Sequence, residues 1–110
     1  EMSMAKLERQ LSENFDELLT RIENGILNGS MTATLEAASD FSDGEARCSV
    51  RVFERYSFMG GNRLSLSVTL FQNGGDVFLS AVSAGGSQGM LWKVNTFGEH
   101  SFLDRLREIL

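Results

Sequence analysis

The sequence has little of what enzymes and metalloproteins commonly use. It contains no proline, one cysteine and one histidine in 110 residues. The single cysteine, Cys48, excludes an internal disulfide and is typical of a protein from a reducing compartment such as the cytoplasm. The single histidine, His100, excludes a metal site built from several imidazoles. No Gly-x-Ser-x-Gly motif is present. The sequence therefore predicts no catalytic residues, no metal site and no cofactor, and favours a non-enzymatic protein.

Long apolar runs and a basic charge balance are absent as well. No run approaches the ~20 apolar residues that cross a bilayer, and no signal peptide precedes the first predicted helix. The formal net charge is -5, which argues against binding to nucleic acids or anionic membranes. We therefore expect a cytoplasmic protein with one domain over residues 5–110. Residues 1–4 are expected to be an expression remnant or a disordered start.

Eleven glycines provide the turn signals that proline does not. Asp43-Gly44 predicts a two-residue hairpin, because this dipeptide adopts positive φ at low cost. Glycine-rich turns are also expected at Met59-Gly60-Gly61, with an odd-length loop, and at Gly74-Gly75. The three turns predict these strand pairs: Phe41 with Ala46, Ala37 with Val50, Leu35 with Val52, Val50 with Leu70, Val52 with Val68, Leu70 with Leu79, Val68 with Ala81 and Phe71 with Phe78.

In this register the apolar residues of all four strands share one face of the sheet. Side chains alternate between faces along a strand, so a shift of one residue would turn the predicted core outward. Val50 and Leu70 are expected inside, and Arg51 and Thr69 outside. Cys48 is expected to be an inert core residue.

Two amphipathic segments flank these strands. Asn14 is a good N-cap, with Glu17 three residues later, and the helix it begins is expected to end between residues 24 and 28. Its apolar stripe is Phe15, Leu18, Leu19, Ile22 and Ile26. A C-terminal helix is predicted from the shared face of Phe102, Leu103, Leu106, Ile109 and Leu110. Strands are predicted at residues 5–11, 31–41, 46–57, 63–73, 76–84 and 90–96.

This order of elements predicts an α+β fold. A curved antiparallel sheet of five or six strands, with both helices on one face, would bury every apolar stripe. The predicted order is β-α-β-β-β-β-β-α, which is that of helix-grip and TATA-binding-protein-like folds. Fold class alone does not define function.

Three segments carry a resemblance to a known family. They are the run from Arg47 to Ser57, the run from Gly60 to Arg63 and the run from Ala84 to Gln88. In these segments, and from Lys6 onward more generally, the chain resembles a family of small bacterial proteins of unknown function. The resemblance implies no mechanism.

Large apolar residues also fall on the face opposite the predicted helices. They are Phe53, Phe71, Phe78 and Val82, and they alternate with serine and threonine. Contiguous apolar patches of this kind mark contact surfaces, and small proteins commonly pair about a two-fold axis. The alternative is that loops cover these residues or that β-bulges turn them inward. Base stacking on the aromatic rings is disfavoured by the acidic balance.

A second group of residues suggests a site for a small anion. Arg55 and Arg63 have no carboxylate partner in the predicted register, and a glycine-rich run begins at Gly85. Backbone amides of such a run can hold an anion, and guanidinium groups bind carboxylates and phosphates. The candidate residues are Arg55, Arg63, Gly85, Gly86, Ser87 and Gln88, with Glu54 and Tyr56 nearby. The alternative is a turn with solvated arginines and a hydrated Glu54.

Two functional hypotheses remain open from the sequence. The first is a non-enzymatic binding or interaction module that forms a homodimer through the outer sheet face. The second is a protein that binds or converts a small anionic or apolar molecule near Arg55, Arg63 and the run from Gly85 to Gly89. The sequence leaves the ligand and the biological process undefined.

Overall fold

The computed structural model describes residues 5–56, 63–85 and 102–110. The elements are β1 (Ala5–Leu11), α1 (Phe15–Asn28), β2 (Thr34–Asp43), β3 (Ala46–Tyr56), β4 (Arg63–Asn73), β5 (Val77–Gly85) and α2 (residues 102–109). The strands form one antiparallel sheet in the order β1-β5-β4-β3-β2. The predicted α+β class with an antiparallel sheet is confirmed. The predicted strand at 90–96 and His100 lie outside the described residues.

Helix α1 begins as the sequence predicts. The side-chain oxygen of Asn14 accepts a hydrogen bond of 2.9 Å from the backbone N–H of Glu17, which satisfies one of the free amides of the first turn. The helix continues to Asn28, and the N–H of Gly29 donates to the carbonyl oxygen of Ile26. Four residues of the predicted stripe are buried, namely Phe15, Leu18, Ile22 and Ile26, and Leu19 packs against them. No helix among the described residues has the length and apolar character required to cross a membrane.

Both helices pack on one face of the sheet, which we call the inner face. The buried core joins Leu18 of α1 and Leu106 of α2 to alternate residues of the strands. The strand residues in this core are Ala5, Leu7, Phe53, Leu64, Leu66, Val68, Leu70, Val77, Leu79 and Ala81. The other face, which we call the outer face, carries neither of the two helices. Strand β2 is exposed along its whole length.

Gly25 of α1 and Gly29, the residue that caps the end of α1, allow α2 to approach closely. A Cβ atom on Gly25 would lie 2.5 Å from side-chain carbons of Ile109, and one on Gly29 would lie 2.4 Å from Nε of Arg105. The guanidinium of Arg105 also donates two hydrogen bonds, of 3.1 and 3.0 Å, to the carbonyl oxygen of Gly25. The carbonyl oxygen of Gly25, in the last turn of α1, is thus paired with the Arg105 cation, as the helix dipole favours.

The predicted pairing of β4 with β5 is confirmed. Leu70 lies opposite Leu79, Val68 opposite Ala81 and Phe71 opposite Phe78. The predicted pairing of β2 with β3 is wrong by two residues, because the turn residues are Gly44 and Glu45 and Asp43 pairs with Ala46. Gly44 has φ of 63°, which suits a turn with glycine first. A shift of two leaves Ala37, Ser39 and Phe41 on the same face as Cys48, Val50 and Val52, as predicted. A β-bulge between Leu35 and Ala37 places Leu35 opposite Phe53 instead of Val52.

The predicted pairing of β3 with β4 is wrong by one residue, and this turns β3 over. Tyr56 pairs with Arg63 and Val50 with Thr69, so the intervening connection has an even number of residues. Val50, Val52 and Cys48 therefore lie on the outer face, and Cys48 is partly exposed rather than in the core. Phe53, expected on the outer face, is fully buried on the inner face.

Ion pairs explain why β3 buries the face that carries arginines. Arg51 is 8% exposed, and its Nε donates a 2.6 Å hydrogen bond to Glu23 of α1. Its other nitrogens contact Asp40 of β2 and the carbonyl oxygens of Ser39 and Val50. Burial alone would lower the pKa of the Arg51 guanidinium, but the hydrogen bonds to Glu23 and Asp40 raise it overall. A charged group whose donors are all satisfied in this way is tolerated under a helix.

Arg47 follows the same pattern about two helical turns closer to the start of α1. It forms two hydrogen bonds to the carboxylate of Asp16, at 2.8 and 3.2 Å, and its guanidinium carbon lies 3.9 Å from the centre of the Phe15 ring. The hydrogen bond from Arg47 lowers the pKa of Asp16. The arginines of β3 thus attach the sheet to α1.

Candidate functional site

An aromatic row crosses the outer face of the sheet. Phe41 of β2 lies opposite Cys48 of β3, Cys48 opposite Phe71 of β4, and Phe71 opposite Phe78 of β5. Phe41 is 66% exposed, Phe71 42% and Phe78 49%. Three exposed aromatic rings and one cysteine on four neighbouring strands form one continuous apolar surface rather than scattered contacts with water.

Two further rows continue this surface along the strands. The second is Ser39, Val50, Thr69 and Ser80, and the third is Ala37, Val52, Ser67 and Val82. We call these three rows of four residues the outer-face patch. None of its residues is charged, although 23% of the chain is Asp, Glu, Lys or Arg. The patch therefore differs in composition from an ordinary hydrated sheet face.

A shallow groove of about 430 Å³ opens at the β5 side of the patch. Its lining includes Phe71 and Phe78 of the aromatic row and Glu8 and Gln10 of β1. The other lining residues are Arg9, Thr69, Leu79 and Ser80. The groove is thus an aromatic depression with a polar rim.

Asp76 holds the β1 wall of this groove in place. Its carboxylate accepts a hydrogen bond of 2.8 Å from Ser12 Oγ and one of 3.0 Å from Gln10 Nε2. The hydrogen bond from Ser12 and, as a smaller effect, the one from Gln10 lower the pKa of Asp76. The ionised carboxylate therefore links the end of β1 to the start of β5.

The described residues of the predicted anion site lie at the opposite end of the sheet and are divided between its faces. On the outer face, Arg63 forms an ion pair with Glu54, and its guanidinium carbon lies 5.7 Å from the centre of the Tyr56 ring. On the inner face, the Arg55 guanidinium lies 4.3 Å from the centre of the Phe102 ring. Burial lowers the pKa of Arg55. The two guanidinium groups thus do not converge on a common anion.

Of the predicted glycine-rich run, only Gly85 is described. Its φ is 122°, and a Cβ atom there would lie 2.5 Å from the carbonyl oxygen of Arg63, so it serves the close approach of β5 to β4. Gly86, Ser87 and Gln88 lie outside the described residues. Within the described ranges, no three His, Cys, Asp or Glu side chains are grouped as they would be around a metal ion.

Three of the four predicted contact residues lie together on the outer face. Phe71, Phe78 and Val82 belong to the outer-face patch, whereas Phe53 belongs to the core. Sequence reasoning missed Phe41, Cys48, Val50 and Val52, because the predicted register assigned them to the inner face. The signal that could have corrected the register is the set of acidic side chains that neutralise Arg47 and Arg51. Their ion pairs offset the cost of burying the arginine face of β3.

Comparison with known proteins gives a family and a fold. No curated protein matches the chain in sequence. The crystal structure of protein MLL2253 from Mesorhizobium loti, a target of the Northeast Structural Genomics Consortium, is similar in fold, with a TM-score of 0.52 and 14% identity. The match covers 96% of this chain and 95% of that one. Residues 4–110 match the "Family of unknown function (DUF6054)", and the chain therefore belongs to this family.

Proposed function

We propose that this protein is an interaction module that forms a homodimer through the outer-face patch. The observation that carries the proposal is the aromatic row of Phe41, Cys48, Phe71 and Phe78 on a face that neither helix covers. Burial of exposed aromatic and aliphatic side chains is the main favourable term in protein association. A second copy of the same sheet provides a surface of the same chemistry.

The size of the patch sets the expected affinity. Four strands about 4.8 Å apart and three rows about 6.8 Å apart cover roughly 400 Å². This is about half of the ~800 Å² that each partner buries in a standard interface. With the flanking residues included, we expect a reversible dimer with a dissociation constant on the order of 10 μM.

The charge distribution favours a second copy over a charged partner. The chain is acidic overall, so two copies repel one another over most orientations. Face-to-face packing of the patches brings no charged rows into contact, because the three rows contain none. The outer-face ion pair of Glu54 with Arg63 is internally neutral. Like-charge repulsion is therefore least for the orientation in which the apolar contact is greatest.

The finer fold and cellular assignments are also proposals. The location of both helices on one face supports a helix-grip or TATA-binding-protein-like arrangement. The single Cys48 and the absence of other cysteines support a cytoplasmic protein. The origin of the similar structure in Mesorhizobium loti supports a bacterial source.

The small-molecule alternative is less well supported. It requires Arg55 and Arg63 to bind one anion, yet they occupy opposite faces of the sheet, and Arg63 is paired with Glu54. A thermal-shift screen of phosphates and carboxylates tests this alternative, because a ligand of the native state raises the melting temperature by mass action. An Arg63→Ala variant that retains every shift would remove Arg63 from the site.

Light scattering on a matched set of variants tests the dimer. Phe71→Glu introduces a charge at the centre of the outer-face patch, whereas Met31→Glu introduces one at a fully exposed apolar residue outside it. Between about 1 and about 300 μM, we expect the wild type and Met31→Glu to pass from monomer to dimer, and Phe71→Glu to remain a monomer. A monomeric wild type throughout this range would contradict the proposed function.

A further inference from the structure

The aromatic row has a projecting side chain near one end and a groove near the other, both on the outer face of the sheet. Phe41 lies on the edge strand β2 and is the most exposed phenylalanine of the row. The groove of about 430 Å³ lies over β4, β5 and β1, with Phe71 and Phe78 in its lining. Both features are at the same height along the strands, because Phe41, Cys48, Phe71 and Phe78 are consecutive partners in the register.

We propose that two copies pack about a two-fold axis parallel to the strands, so that Phe41 of each copy enters the groove of the other. The inference rests on the proposed homodimer and specifies its geometry. An axis that lies between the sheets, at the boundary of β3 and β4, places β2 of one copy over β5 of the other. Each row then packs on the same row of the second copy, and Phe41 lies over Phe78.

The other in-plane axis does not bring these features together. A two-fold axis perpendicular to the strands inverts the order of the rows, so that the first row packs on the third. Phe41 would then lie over Ala37 of the second copy, and Phe78 would lie over Val82. The parallel axis gives two reciprocal contacts between the rings of Phe41 and Phe78, and offset or edge-to-face packing of such rings is favourable.

The dimensions of stacked sheets are compatible with this arrangement. Sheets pack about 10 Å apart with strand directions within about 30° of each other. β2 and β5 are three strand spacings apart, or about 14 Å, so the two Phe41 contacts are separated by the width of the patch. β1 then lies beyond β2 of the second copy, and the carboxylate of Glu8 stays in water at the rim of the groove.

The symmetry also limits the size of the assembly. Each copy contributes one projecting ring and one groove to the same interface, so the contact is isologous and closes at two copies. If the projecting ring and the groove were on unrelated surfaces, each copy could add to the next without closing, and the contact would build a fibre. The arrangement therefore predicts a dimer without higher oligomers.

Complementation between two variants tests this geometry. Phe41→Ala removes the projecting ring and leaves the groove, whereas Ser80→Trp fills the groove and leaves the ring. Each variant alone loses both reciprocal contacts, and we expect its dimer to dissociate at least ~10-fold more readily than the wild type. In a mixture, the ring of Ser80→Trp can enter the open groove of Phe41→Ala, so heterodimers are expected. Native mass spectrometry distinguishes the three dimers by mass.

Control variants test the packing geometry separately from the formation of a dimer. Thr69→Trp fills the groove from β4 and should complement Phe41→Ala in the same way, and circular dichroism of every variant checks the fold. A wild type that dimerises, together with a mixture that forms no heterodimer or a Phe41→Ala variant that dimerises as the wild type does, would overturn the geometry and leave the proposed function intact. A monomeric wild type would overturn both.

Discussion

Phe71 and Phe78 lie directly opposite each other across β4 and β5, on the face of the sheet that carries neither α1 nor α2. A cross-strand aromatic pair stabilises a sheet by roughly 0.2–1 kcal/mol. Nearly half of the surface of each residue remains exposed, so a partner could still bury a large part of the pair. This relationship is the local reason to expect a partner on the outer face.

Cys48 gives a direct probe of contact at this face, because it lies between Phe41 and Phe71 and is the only cysteine of the chain. We expect the rate of its reaction with N-ethylmaleimide to fall as the protein concentration rises through the dissociation constant. In Phe71→Glu the rate should not depend on concentration. A wild-type rate that is constant from about 1 to about 300 μM would count against coverage of the row.

Arg51 should matter for stability more than an exposed arginine does. Arg51→Met leaves Glu23 without the partner that it contacts at 2.6 Å under α1, although Glu23 and Asp40 retain access to water. We expect a loss of about 1–3 kcal/mol in the free energy of unfolding, less than for a fully buried pair. Arg107→Met, which breaks an exposed pair with Asp104, should cost less than about 0.5 kcal/mol. Urea unfolding measures both, and equal losses would refute the role assigned to Arg51.

The contact between Gly25 and Ile109 predicts an unusual response to alanine. Gly25→Ala would gain about 1 kcal/mol of helix propensity, but its Cβ would clash with Ile109 at 2.5 Å. Overpacking of this kind costs about 1–3 kcal/mol, so the variant should be less stable than the wild type. In the background of Ile109→Ala, which removes the clash, the same substitution should be stabilising. A double-mutant cycle without coupling would contradict the packing of α2 on α1.

Acid should weaken the link between β1 and β5. The pKa of Asp76 is lowered in the folded protein by its bonds from Ser12 and Gln10, so its contribution to stability is fully present above the ordinary value of 3.8 and is lost as the pH falls below it. Asp76→Asn, which does not titrate, should lose less stability than the wild type between about pH 5 and about pH 3. Unfolding curves across this range compare the two, and parallel losses would exclude the carboxylate as a cause.

Much of the fold was predictable because local signals and burial agree. The capping of α1 by Asn14, the apolar stripes of both helices and the register of β4 with β5 follow from short-range chemistry. The register of β3 with β4 does not. On β3 the residues Cys48, Val50 and Val52 form the more apolar alternate set, and hydrophobic pattern alone assigns them to the core.

The structure buries the other set of β3 residues because distant acids compensate for its charge. Glu23 and Asp40 are remote from Arg51 in the sequence, and no local pattern shows that they neutralise it. For the same reason only part of the candidate site was predicted. Phe71, Phe78 and Val82 were assigned to the outer face from the correct turn at Gly74-Gly75. Phe41 and the valines of β3 could be assigned only with the tertiary ion pairs.

The most direct test of the proposed dimer is an isotope-filtered nuclear Overhauser measurement on a mixture of ¹³C-labelled and unlabelled protein. This measurement detects only contacts between copies. A dimer joined by the outer faces predicts intermolecular signals at the ring protons of Phe41, Phe71 and Phe78 and at the methyl groups of Val50, Val52 and Val82, each with residues of the same row in the second copy. It also predicts none at the buried methyl groups of α1 and α2. Intermolecular signals confined to the helices, or none at a concentration well above about 10 μM, would contradict the claim that the outer face joins two copies.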